Sequence, residues 1–225
     1  MVNKILISFF VRRLPEIRRS NLLGVMDYSV EYRKNKMPME LFRQRYQNKE
    51  KFMAYCRECP RYDTVWSCPP LDIDAEAYLS RFAWINVVGA KINLERHVIE
   101  EADTADKIKD QGWRIVSEVK LRMEEKLRKL EREIPGSISL SSGGCNLCIE
   151  CSRKAGQPCR LPDKMRYSLD AFGFDLSAIT QDMLGIKIQW CRDRLPDYFT
   201  LVHGIMTVNE VPEKFRDRYL CAETG

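Results

Sequence analysis

The sequence predicts an α+β fold: a mostly antiparallel sheet, one long helix and two cysteine-rich loops. Three observations predict it. Branched, apolar stretches recur without the regular strand–helix alternation of βαβ units. One charged segment of about thirty residues carries a helical stripe of apolar side chains. Seven of the nine cysteines fall into two groups, at 56–68 and 145–159. A chain of 225 residues that is 44% apolar is long enough to bury a core.

The elements follow in order. Residues 1–25 are expected to be a basic leader or extension, and 26–225 a single α+β domain, because Met26 would serve equally well as a start. The stretch "KILISFFV" has about the length of a signal-peptide core, but Arg12, Arg13, Arg18 and Arg19 occupy the place of a small-residue cleavage site. In "PMELFRQRYQNKEKFMA" (38–54), Met39, Phe42, Tyr46 and Phe52/Met53 share one helical face, so a helix delivers the chain to the first cysteine group. Prolines after Cys68 impose an extended turn, and "WINVVGAKINL" (84–94) reads as a strand. From 104 to 134, Val116, Val119, Met123, Leu127, Leu130 and Ile134 step by three and four until Pro135-Gly136 stops the helix. The stripe is too short in heptads for a coiled coil, so this helix is expected to pack on the protein's own sheet. "SISL" (137–140) reads as a strand feeding "SSGGC", and two short helices are expected at 163–172 and 176–184. "IKIQWC" (186–191) and "YFTLVHGIMTV" (198–208), joined by "RDRLPD", read as an antiparallel pair.

No stretch approaches the roughly 18 apolar residues of a membrane span, and a cytoplasmic location is expected. In that reducing compartment nine cysteines point to metal or redox chemistry rather than to a disulfide framework. The net charge of +5 is uneven, residues 1–60 holding 13 Lys/Arg against 6 Asp/Glu. This marks an anionic partner or a solvated basic tail. No aromatic-basic module accompanies it, which argues against nucleic acid.

Cys145, Cys148, Cys151 and Cys159 are spaced C-x2-C-x2-C-x7-C. Two residues between thiols let a tight turn present both sulfurs to one side, and a third at the same interval wraps three sulfurs around one object. A cubane offers separate iron corners to such a run, whereas zinc is more often held by two distant C-x2-C knuckles. The pattern therefore favours a 4Fe-4S iron-sulfur cluster, with zinc as the alternative. Gly143-Gly144 suits close backbone approach, and Pro158 fixes the chain before Cys159. Cys56, Cys59 and Cys68, spaced C-x2-C-x8-C, supply only three thiols. Their fourth ligand could be a non-cysteine group, a water, a thiol shared with the other group, or Cys191 or Cys221, although lone cysteines are usually small buried hydrophobes. The C-x-x-C pairs lack a thioredoxin-like context. His97 and His203 are isolated and read as structural, and no P-loop, dinucleotide fingerprint or nucleophile elbow is present.

"CRECPRYDTVWSCPPLD" together with "GGCNLCIECSRKAGQPCRLPDKMRYSLDAFGFDL" resembles a prokaryotic family of cysteine-rich predicted metal-binding proteins of unassigned function, over about residues 50–210. The resemblance implies a metal site built from Cys56, Cys59, Cys68, Cys145, Cys148, Cys151 and Cys159, and no particular reaction. Asp63 stands where that family commonly has glycine, and Asp170 where it commonly has glutamate. Three functions are compatible with these residues. The first is an electron-transfer or redox accessory protein, whose Arg153, Lys154 and Arg160 raise the reduction potential and attract an acidic partner. The second is an enzyme with an open iron and Asp63 or Asp170 as proton carrier. The third is a zinc-stabilised binding module.

Overall fold

The computed structural model describes residues 27–212; the leader 1–25 and Cys221 lie outside the described residues. Four strands, β1 (Tyr28–Pro38), β2 (Trp84–Leu94), β3 (Ile138–Leu140) and β4 (Tyr198–Thr207), form one sheet in the order β1-β2-β4-β3. Every neighbouring pair is antiparallel. The register is set by β2, which is paired along both edges: Tyr28 stands opposite Leu94 on one side, and Trp84 opposite Thr207 on the other. Among the described residues six α-helices accompany the sheet: α1 (Met39–Tyr46), α2 (Lys49–Arg57), α3 (Ala75–Leu79), α4 (Arg96–Glu101), α5 (Ala105–Glu133) and α6 (Leu176–Leu184). The arrangement is α+β, with the antiparallel sheet and the long helix that the sequence predicts.

Because side chains alternate across a strand, the sheet separates two apolar cores. Ile85 and Val87 of β2 point into the first, with Phe42, Leu79, Leu140, Phe172, Phe174 and Met206. Val88, Ala90 and Ile92 point into the second, where α5 lays down Ile115, Val119, Met123 and Leu127. Each such buried side chain contributes about 1.5–3 kcal/mol, which is what holds a helix this rich in charge to the sheet. Thr104 caps α5, its hydroxyl accepting from the Lys107 amide at 3.3 Å. The stripe differs from the expected one at its ends: Ile115 is fully buried where Val116 is only partly so, and Ile134 stands at the C-cap.

Three sequence expectations are corrected, and one strand was not expected. The helix expected over 38–54 is two helices, broken where Gln47 bridges to Phe174 and Asn48 turns to cap α2 through the Lys51 amide at 3.0 Å. Residues 186–191 form no strand: β3 fills only Gly204–Met206 of that edge of β4, and beside it the Val202 amide is taken by the Ser142 hydroxyl at 3.1 Å. Residues 163–172 form no α-helix; only Asp170–Phe172 makes a single 3-10 turn, since Ser168 is drawn into a parallel bridge with Ser141. The unexpected strand β1 alternates charged residues on its exposed face, as suits an edge that must not pair with another chain. Among the described residues no helix is long and apolar enough to cross a membrane.

Candidate metal centre

Helix α2 ends in the first cysteine group. Cys56 occupies its last turn, and the chain leaves through a run of turns closed by Cys59 N to Cys56 O at 3.0 Å, Tyr62 N to Cys59 O at 2.9 Å and Cys68 N to Val65 O at 2.9 Å. Asp63, at φ 55°, adopts the left-handed conformation that glycine tolerates best. Its amide donates to Pro69 O at 2.8 Å, folding Cys68 back toward Cys59.

The second group occupies the excursion between β3 and the 3-10 turn. Its neck is closed by the Ser141–Ser168 bridge, with Ser141 N donating to Tyr167 O at 2.8 Å. Inside, the Ser152 hydroxyl donates to Pro158 O at 2.7 Å, returning Cys159 toward Cys151, and Gly156 takes a positive φ of 64° to close the turn between them. The Leu147 amide points at Cys145 Sγ, 3.5 Å away. Cys145, Cys148, Cys151 and Cys159 line one small cavity together with Val65, Trp66, Leu147, Leu161 and Met165. Four thiols in a wall that is apolar except for Ser152 and Arg160 are a donor set that fits an iron-sulfur cluster, and one that zinc also takes.

The two loops are joined to each other. Cys145 N donates to Ser67 Oγ at 2.7 Å, and the Trp66 indole to Gln157 O at 3.1 Å. Arg153 reaches across 90 residues to pair with Asp63 at 2.8 Å, and also donates to Pro70 O at 2.7 Å and Cys68 O at 3.1 Å. Its guanidinium lies 4.9 Å from the centre of the Trp66 ring. At Gly144 a Cβ atom would stand 2.7 Å from Arg61 Nη1 and 2.9 Å from Cys68 Sγ, so a larger residue would push the Arg61 guanidinium and the Cys68 thiol aside. Beneath them Lys120 of α5, buried in the helix–sheet interface, donates to Gly144 O at 2.5 Å and faces Glu124 at 3.7 Å. The Ser141 hydroxyl donates to Glu124 at 2.5 Å.

Burial dominates the electrostatics of these thiols. It pushes Cys56 up to about 11 and Cys68 up to about 12, and in both cases the negative charge of Asp170 adds to the effect. Arg61 and the Ser67 hydroxyl pull Cys68 back. Cys145 is raised by burial against the pull of the Leu147 amide and Lys120. Lys120 itself is lowered, first by burial and then by Arg61, while Glu124, Cys145 and Asp170 oppose that shift. A cation bound by these thiols must displace their protons, which couples binding to pH.

The structure thus brings the four downstream cysteines to one cavity and sets the upstream loop against it. Among the described residues, no three His, Cys, Asp or Glu side chains are gathered closely enough to hold a single metal ion. Cys191 stands apart, packed at the edge of the second core with its thiol 3.4 Å from Arg194 O. Asp63 is engaged by Arg153, and Arg153 is a clamp between loops rather than a free surface cation. His97 lies 3.5 Å from Asp27, and His203 is fully buried in β4. Sequence reasoning missed Lys120, Glu124, Arg61 and Ser67. The signal for the first two was their place on α5: Lys120 and Glu124 lie one position beyond Val119 and Met123, on the flank of the apolar stripe and four apart.

No curated protein and no solved structure matches the chain. A family model described as "Predicted metal-binding protein (DUF2284)" matches residues 41–206, a stretch that takes in both cysteine loops and most of the sheet. The chain belongs to this family of predicted metal-binding proteins.

Proposed function

We propose that the protein is an iron-sulfur protein that holds a 4Fe-4S cluster on Cys145, Cys148, Cys151 and Cys159 and acts in electron transfer or as a redox accessory. The observation that carries this reading is the lining of one cavity by all four thiols, with apolar side chains making up most of the rest of its wall. A tetrahedral zinc draws its four sulfurs to about 2.3 Å from one point, whereas a cubane takes each thiolate at a different iron corner. Four thiols that share a cavity without converging on a single ion are compatible with the second arrangement.

A 4Fe-4S cluster supplies one-electron transfer at a potential tuned by hydrogen bonds, nearby charge and solvent. The chain's own residues bear on each of these. The Leu147 amide faces the Cys145 sulfur, Lys120 places a cation behind it, and Val65, Leu161 and Met165 keep water from the inner wall. On the outer side Ile149 is 61% exposed between Cys148 and Cys151, with Lys154 and Arg160 beside it. That rim is where an acidic redox partner would dock; Arg153 is occupied internally and Lys154 is paired with Glu150 at 3.5 Å, so the attraction rests chiefly on Arg160.

Protein purified without oxygen tests the reading. It should be brown, with a broad thiolate-to-iron absorbance at roughly 400 nm and iron matched by acid-labile sulfide. Colourless protein with stoichiometric zinc would overturn it.

A further inference from the structure

The upstream loop supplies part of the wall of the downstream cavity. We propose that residues 64–68 are a lid on that four-thiol cavity, and that Trp66 controls the access of water and chelators to the metal held there. This rests on the reading that Cys145, Cys148, Cys151 and Cys159 hold a metal, and on no choice between a cluster and zinc.

The segment is a closed unit. Asp63 N donates to Pro69 O at 2.8 Å, so the chain between them leaves and returns at one neck, and Cys68 N to Val65 O at 2.9 Å tightens the tip. Val65 and Trp66 stand at that tip and line the cavity with the four thiols, although in sequence they belong to the spacer between Cys59 and Cys68. The tip meets both ends of the downstream set. Ser67, fully buried, accepts from the Cys145 amide at 2.7 Å, at the first thiol. The Trp66 indole donates to Gln157 O at 3.1 Å, just before the last. Arg153, between Cys151 and Cys159, donates to Val65 O at 3.4 Å and to Cys68 O at 3.1 Å, and its guanidinium lies over the Trp66 ring.

These are polar bonds rather than core packing. Val65 and Trp66 belong to neither apolar core, and helix α2, which leads into the loop, buries none of its residues. A segment outside the core, fixed by a few directional bonds, opens locally at less cost than the sheet and α5 do. The bonds that keep it shut come from the loop it covers, so the tip and the four thiols close together. An indole in the wall excludes water and lowers the dielectric around a bound metal, and such a shell sets both the potential and the lifetime of the centre.

The test is anaerobic extraction of metal from the full chain by excess EDTA, at a series of chelator concentrations, with metal and sulfide counted per chain. Wild type, Trp66→Phe, Trp66→Ala and Arg153→Ala are compared, with circular dichroism to establish that each is folded, and the kinetic phase missing from Cys148→Ala is the one that belongs to the downstream site. In the wild type the rate should level off at high chelator, where opening of the lid limits it. Trp66→Ala should lose metal severalfold faster, and its rate should go on rising in proportion to chelator, because nothing has to open first. Arg153→Ala frees the tip without altering the lining of the cavity and should behave likewise. Trp66→Phe, which keeps a ring in the wall, should stay close to the wild type. If Trp66→Ala releases metal as the wild type does, Trp66 is not a lid. If it releases metal faster but at a rate independent of chelator, Trp66 only braces the thiols and the proposal fails. It fails also if Trp66→Ala and Arg153→Ala fold but take up no metal, since the tip then builds the site rather than covers it. Zinc in place of iron and sulfide overturns the cluster reading alone, because the same rates are then read from zinc.

Discussion

Asp63 and Arg153 show how much of the site depends on single side chains. Asp63 has a positive φ of 55° and accepts two hydrogen bonds from Arg153. A glycine there removes about 1 kcal/mol of backbone strain and an ion pair whose acidic partner is 65% exposed, worth at most about 1 kcal/mol. The two effects nearly cancel. Asp63→Gly is therefore expected to be close to neutral and Asp63→Ala to be about 1 kcal/mol less stable than Asp63→Gly, as read from urea midpoints. Arg153→Ala removes the donor that holds Val65, Cys68 and Pro70 carbonyls as well as Asp63. It should cost about 2–3 kcal/mol and speed metal release, and Arg153→Lys should recover little, because one ammonium cannot span four acceptors set by a planar fork. The cysteines and the special place of Asp63 were legible because spacing and local similarity are one-dimensional signals. The work of Arg153 was not, since its partners lie about 90 residues away and nothing local distinguishes it from a solvated arginine.

At the scale of elements, legibility follows whether burial alone shapes the segment. The α5 stripe and α6 were readable because each packs one apolar face on the sheet, and β2 because both of its faces are buried. The break at Gln47–Asn48 was not, since it depends on a bridge to Phe174, far along the chain. Nor was the failure of 186–191 to form a strand, since the Val202 amide on that edge of β4 is taken by Ser142, sixty residues away. α5 meets the cysteine excursion through Lys120–Gly144, Ser141–Glu124 and Arg166–Glu131, but its apolar stripe packs on the sheet. Chelation or oxidative loss of metal should thus unfold the two loops while helical circular dichroism from 105–133 persists. A complete collapse of the helical signal on metal removal would contradict this. Leu127→Ala, by contrast, opens a cavity in the second core and should cost about 2–5 kcal/mol whether or not metal is present.

The whole molecule should respond to pH in two distinct ways. His203 is fully buried between β4 and α5, with neither ring nitrogen hydrogen-bonded. Burial, helped by Lys120, lowers its pKa from 6.5 to about 3. The unfolded chain therefore binds a proton that the folded chain refuses, so this term leaves stability intact above pH 6.5 and erodes it as pH falls toward 3. At pH 5 the loss is about 2 kcal/mol. His203→Leu should flatten that acid limb and be no less stable at pH 7.5, since two unpartnered nitrogens leave the core; identical pH profiles for the two proteins would refute the assignment. Metal uptake has its own dependence. With Cys56 raised to about 11 and Cys68 to about 12, thiol protons must leave on loading. Proton release should accompany metal binding, and affinity should rise about tenfold per pH unit for each proton displaced, measured by competition with a chelator between pH 6 and 8.

The pinned neck of the second cysteine loop has a bearing on how such a protein can be rebuilt. Ser141 and Ser168 are paired side by side, so the chain between them leaves the sheet and returns to almost the same point. Because the bridge is parallel, the chain passes from the front of one serine to the back of the other, so a shortened replacement needs a crossover of about a dozen residues rather than a tight turn. Transplanted as a cassette between two neighbouring parallel segments with the same spacing between its ends, it would carry four thiols with it and leave behind Ser67, Trp66, Asp63, Lys120 and Glu131, which tie it to its present host.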